Sequence, residues 1–187
     1  AENFLCERIK VQHTGGYAIL IDAFPGAIEN VQLSNCTFEN NRPNLFGLVA
    51  GNAVFGSWTG GVYINGDGRP GNPGRVLKGL MVAQCRWLRN TGNCLWSHLY
   101  GLDDLHEDFQ ILSNYFLDIG LDGILVGGVT GGAVNNNVFR RIGYTTLTDT
   151  DQSVPRWLNG LNATALDSSG LVKGVPYQGN SFLSVNG

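Results

Sequence analysis

FQILSNYF (109–116) places apolar residues at Phe109 and Ile111, an asparagine at Asn114 and an aromatic ring at Phe116. The same arrangement recurs as VQLSNCTF (31–38), LMVAQCRW (80–87), GAVNNNVF (132–139) and VPYQGNSF (175–182). The residue two before each aromatic is Cys36, Cys85, Asn114, Asn137 and Asn180, and a glycine follows the later aromatics at Gly92, Gly120, Gly143 and Gly187. Alternating apolar positions that return without a helical period predict stacked rounds of β-strand, a parallel β-helix. A second strand is expected eight residues after each aromatic. Its inward residues would be Phe46 and Leu48, Leu95 and Ser97, Ile124 and Val126, and Leu147, with the residues between them facing outward.

Working outward from the repeat, the step from Asn114 to Asn137 is one coil, and Cys85 to Asn114 is one coil with an enlarged loop. The steps from Cys36 to Cys85 and from Asn137 to Asn180 each hold two coils or one coil with a long excursion. Excursions are read at 56–74, rich in Gly, Pro and Asn around a short GVYIN strand, and at 146–160 around Pro155. The asparagine column is expected to bond neighbouring coils through its amides, a structural role. Cys36 and Cys85 share that column and read as small buried residues, and no CxxC spacing suggests a metal. His13 reads as a turn residue. Residues 1–187 form one domain of roughly five to seven coils, a length sufficient for a sizeable core. Both ends look cut and the C-terminus shows no polar cap, so a fragment with missing flanking coils, or ends covered in an oligomer such as a homotrimer, is expected.

Composition narrows the partners. The 27 glycines and 14% charged residues suit many short strands and tight turns. A net charge of −3 offers no basic face for nucleic acid. No apolar run approaches the ~20 residues of a membrane span. A coil stack presents a long groove, which fits a polysaccharide partner and a secreted or extracellular setting, at a cell or virion surface.

The segment CLWSHLYGLDDLHEDF (94–109) carries the densest chemistry. If Leu95, Ser97 and Leu99 face inward, Trp96, His98 and Tyr100 face outward on one strand, followed by Asp103, Asp104, His106, Glu107 and Asp108. Flat rings beside ionisable groups suit sugar recognition and proton transfer. Ca²⁺ is a candidate ligand for the Asp103–Asp108 cluster, although no EF-hand pattern is present. Glycoside hydrolysis would need two spaced carboxylates from Asp103, Asp104, Asp108 and Asp122, a weaker fit.

These repeats resemble right-handed parallel β-helix proteins of the pectate-lyase-like superfamily along essentially the whole chain. A local stretch, Tyr100-Gly101-Leu102-Asp103-Asp104-Leu105-His106-Glu107 followed by Gly120-Leu121-Asp122-Gly123-Ile124, resembles the Y-G-x-D-P-H-E and G-L-D-G-F motifs of mannuronan C5-epimerases. It departs from them by one extra residue between Asp103 and His106 and by a missing proline. The resemblance implies an acid/base pair of Tyr100 and His106, with Asp103 neutralising a substrate carboxylate. The reaction implied is abstraction of the C5 proton of a uronic-acid polysaccharide, by a lyase or an epimerase. Substrate contacts would come from Trp96, His98, Asp104 and Asp122, and from Arg140 and Arg141 one coil further. The alternative is a non-catalytic β-helix that binds glycan or acts as a spacer: a tailspike segment, an adhesin or a surface stalk.

Overall fold

The computed structural model of the chain describes residues 2–41, 48–49, 52–53, 59–90, 92–101, 103–120, 122–142, 161–162 and 172–185. Among these the protein is all-β, and its three principal sheets are parallel throughout. The first sheet holds Glu2–Glu7, Ile28–Ser34, Leu77–Ala83, His106–Leu112, Val129–Asn135 and Val172–Lys173. The second holds Lys10–Gln12, Thr37–Glu39, Arg86–Leu88, Tyr115–Ile119, Val138–Ile142 and Ser181–Val185. The third holds Ile19–Asp22, Thr59–Asp67, Asn93–Tyr100, Ile124–Leu125 and Leu161–Asn162. The chain visits the three sheets in turn, and each new strand pairs with the strand laid down one circuit earlier.

The repeat that reads FQILSNYF is the passage from the first sheet to the second. Its apolar positions face a single core that draws on all three sheets, with Val31, Leu80 and Phe109 from the first and Ile64, Leu95 and Ile124 from the third. The aromatics form a stack, buried from Phe38 to Phe139 and half exposed at Phe182, with centroids of Phe38 and Trp87 4.2 Å apart, Trp87 and Phe116 5.6 Å, Phe116 and Phe139 4.7 Å, and Phe139 and Phe182 5.2 Å. Beside them runs the predicted amide ladder. Asn137 Oδ1 accepts from the backbone N–H (2.9 Å) and the Nδ2 (3.0 Å) of Asn114, and Asn180 Oδ1 does the same for Asn137. Each Nδ2 also donates to a carbonyl of the circuit before, Val82 for Asn114, Ile111 for Asn137 and Val134 for Asn180. The thiols of Cys36 and Cys85 occupy the same rungs and reach Cys6 O at 3.4 Å and Leu33 O at 3.6 Å.

Both long steps in the sequence are single circuits. Arg86 pairs with Thr37 and Ser181 with Val138, so neither interval contains a hidden repeat. Within the excursion expected at 56–74 the strand is longer than GVYIN: Thr59–Asp67 is an interior member of the third sheet, and a loop follows it. Leu48, expected to point inward on that sheet, lies instead in a two-residue strand, Leu48–Val49, paired antiparallel with Asn52–Ala53. Glycine disguised the strand. A Cβ at Gly61 would collide with the Cys94 carbonyl and the Trp87 ring, so the residue is glycine because the core closes directly over it. Phe46, Leu147 and the excursion at 146–160 lie outside the described residues. No helix among the described residues is long and apolar enough to cross a membrane.

Candidate functional site

Strand pairing in the third sheet aligns its non-core face into rows. Leu20, Tyr63 and Trp96 share one row, Asp22, Asn65 and His98 the next, and Asp67 and Tyr100 a third. Alternation sends the intervening Ile21, Val62, Ile64, Leu95, Ser97 and Leu99 into the core, where all are buried. Rings dominate the first row and its surroundings. Tyr17 stacks on Tyr63 at 4.8 Å with 16° between the planes, and Trp96 lies 5.0 Å from Tyr63, tilted by 51°. On the far side, Tyr100 meets His98 edge-on at 4.6 Å and Phe24 edge-on at 5.7 Å. A polar row therefore runs between two aromatic borders. Within it Asp22 Oδ1 accepts from Asn65 Nδ2 (3.2 Å) and from the Phe24 backbone N–H (3.1 Å).

One end of this trough is closed by a knot of loops. Asp67 sits on the same face as Tyr100 but is fully buried, because the following residues fold back over it. Its carboxylate accepts from Arg69 Nε and Nη2 at 2.8 Å each, from the Arg69 backbone N–H and from Asn72 Nδ2. The bidentate Arg69 bond holds the Asp67 pKa down to about 2. The Arg69 guanidinium also lies 5.7 Å from the centre of the Tyr100 ring. Across the knot, Gly68 O accepts the N–H groups of Asp103 and Asp104, and Asp104 Oδ2 accepts from Gly74 N–H at 2.9 Å.

The residues expected to form one site divide into four groups. Trp96, His98 and Tyr100 do share the trough, and Tyr100 is 37% exposed. Asp103 is exposed at its closed end, while Asp104 is tied to the 68–75 loop. His106 and Asp122 are fully buried. His106 Nδ1 accepts the Leu77 N–H at 2.9 Å and Nε2 lies 3.3 Å from His98 O, a pattern that assigns the neutral Nε2–H tautomer. Burial lowers its pKa to about 4. With both nitrogens engaged by backbone, His106 pins the corner between the first and third sheets and presents no nitrogen to a substrate. Asp122 is bonded through its backbone to Asn93 Oδ1 and to Cys94. Arg140 and Arg141 lie on the second sheet, with Arg141 paired to Asp118 at 2.6 Å. Among the described residues no three His, Cys, Asp or Glu side chains gather as metal ligands. Asp108, the far end of the acidic run, stands on the first sheet and accepts from Gln110.

Sequence reasoning missed Tyr17, Asp22, Phe24, Tyr63, Asn65 and Arg69. Tyr63 and Asn65 carried a usable signal in the alternation of VYIN, masked by the glycines around it. Tyr17, Asp22 and Phe24 join only through pairing across some forty residues of sequence. Burial, and secondarily the neighbouring phenols, raises the pKa of Tyr63 and of Tyr17. Both are therefore neutral hydrogen-bonding groups at ordinary pH. Comparison with family models, curated proteins and solved structures returns no match to this chain.

Proposed function

We propose that the circuits wind a right-handed parallel β-helix of the pectate-lyase-like type, and that the protein binds polysaccharide along the trough on its third sheet. One observation carries this reading: a row of hydrogen-bonding side chains, Asp22, Asn65 and His98, set between two aromatic borders. Sugar rings offer apolar C–H faces and equatorial hydroxyls, and such a trough supplies partners for both. Trp96 stands at one end of its aromatic row, beyond the mutually stacked Tyr17 and Tyr63, and serves as the principal stacking surface. The setting that follows is extracellular, where polysaccharides are the accessible polymers.

A second reading, C5 proton abstraction from a uronan, rests on the exposed Tyr100 with His98 against its edge. In it Tyr100 keeps the role given by the local resemblance and His98 takes the place of His106.

Affinity electrophoresis through gels containing soluble polysaccharides tests the binding reading. We expect retardation by at least one polymer, and a loss of about tenfold or more in affinity for Trp96→Ala with the circular dichroism spectrum unchanged. Mobility unaffected by every polymer would sink it. Incubation with uronans in D₂O followed by proton NMR addresses the second reading. Deuterium at C5 or new 4,5-unsaturated signals that disappear in Tyr100→Phe would establish turnover, and unchanged spectra would exclude it.

A further inference from the structure

Resting on the binding reading above, we infer that the polymer this trough takes is neutral, with Asp22 as its specificity-determining residue. Asp22 is exposed in the middle row, and its Oδ1 is held by Asn65 and the Phe24 N–H, which orients the carboxylate. Arg69, 5.7 Å from the centre of the Tyr100 ring, is neutralised by two 2.8 Å bonds to the buried Asp67. Beyond it, Arg75 bonds Asp67 through its backbone carbonyl and acts on the carboxylate only through its charge, while the exposed Asp103 and the loop-bound Asp104 add negative charge at the same end. On the neighbouring first sheet, Lys78 is paired to Glu107 at 2.9 Å.

A uronate carboxylate laid in the trough would meet the like charge of Asp22, while the one cation among these residues outside an ion pair, Arg75, stands beyond Asp67 beside the carboxylates of Asp103 and Asp104. Abstraction of a C5 proton has the same requirement, because negative charge must spread onto that carboxylate. A neutral ring has no such conflict. An oriented carboxylate accepts from adjacent ring hydroxyls, and the aromatic borders take the apolar edges.

The test compares affinity for a neutral glucan, mannan or xylan with that for polygalacturonate and alginate, in wild type and Asp22→Asn, at low salt and in 0.5 M NaCl (about a 4 Å screening length). The inference expects the neutral polymer to bind at least about tenfold tighter, with little response to salt. It also expects Asp22→Asn to weaken neutral binding by about tenfold while strengthening any acidic binding. Acidic polymers bound as tightly as neutral ones, with Asp22→Asn without effect, would overturn the inference and leave the glycan reading standing. Retardation by no polymer of either kind would overturn both.

Discussion

At the scale of single residues, His106 illustrates how a chemically suggestive side chain becomes structural. Its imidazole stacks on Phe109 at 5.6 Å, and Gly66 gives it room: a Cβ there would stand 2.7 Å from the ring. Because Nδ1 must accept from Leu77, protonation breaks a buried backbone bond. The folded pKa of about 4 lies below the ordinary 6.5, so the unfolded chain binds the proton first. The stability tied to the neutral ring is complete above pH 6.5 and is lost as pH falls towards 4, amounting to about 3 kcal/mol. Denaturant melts at pH 7.5 and pH 4 should show this loss, and His106→Gln should flatten the dependence across that window. A wild-type profile flat from 7.5 to 4 would mean that His106 is not held neutral.

At the scale of the element, the recurring corner between the first and second sheets is the unit of construction. Each rung supplies one side chain that donates to a carbonyl of the previous circuit, and asparagine adds an acceptor for the N–H beside it. Asn114→Ala removes both contacts and strands the buried Cys85 N–H, which Asn114 Oδ1 satisfies at 2.9 Å. We expect a loss of about 2–4 kcal/mol by chemical denaturation, combining the orphaned donor with the cavity. Cys85→Asn should move the other way, gaining about 1 kcal/mol by extending the acceptor ladder down to Cys36. A loss of stability there would show that the thiol rungs are shaped for sulfur alone. Backbone geometry repeats with equal regularity. Asn35, Gln84, Ser113 and Asn136 have φ between 53° and 57° at the residue preceding a rung, and Arg8, which follows the Glu7–Ser34 pairing beside Asn35, has 55°. Left-handed conformations cost non-glycine residues about 1–2 kcal/mol in isolation, and the ladder bonds on either side hold them in place. The rungs were readable because one residue type at one spacing does the same work in every circuit. The left-handed positions were not, since Arg, Gln and Ser carry no signal for positive φ.

At the scale of the whole molecule, strands of the described residues pair only with those laid down on the visits to the same sheet just before and after, so protection should fall off from the middle of each sheet. The terminal strands leave Phe4 51% exposed and Phe182 49% exposed, whereas Leu80 and Phe109 in the central strands are buried. Hydrogen–deuterium exchange should be slowest in Leu77–Ala83 and His106–Leu112 and fastest in Glu2–Glu7 and Ser181–Val185. Uniform protection would contradict that additive picture.

By itself the sequence determined the all-β class, the inward alternation of Leu95, Ser97, Ile124 and Val126, and the asparagine rungs. These follow from a period-two pattern and a repeated side-chain bond, both local properties. It also brought Trp96, His98 and Tyr100 to one face, because alternation along a single strand requires it. Only the tertiary structure decided the rest of the site. Side chains on different circuits become neighbours through strand pairing, which set Asp22 and Tyr63 beside Trp96 and His98 across gaps that no local pattern spans. The same packing withdrew His106 and Asp122 into the interior and committed Arg69 to Asp67. Burial and charge compensation depend on what the rest of the chain lays over a residue, and a sequence motif carries neither.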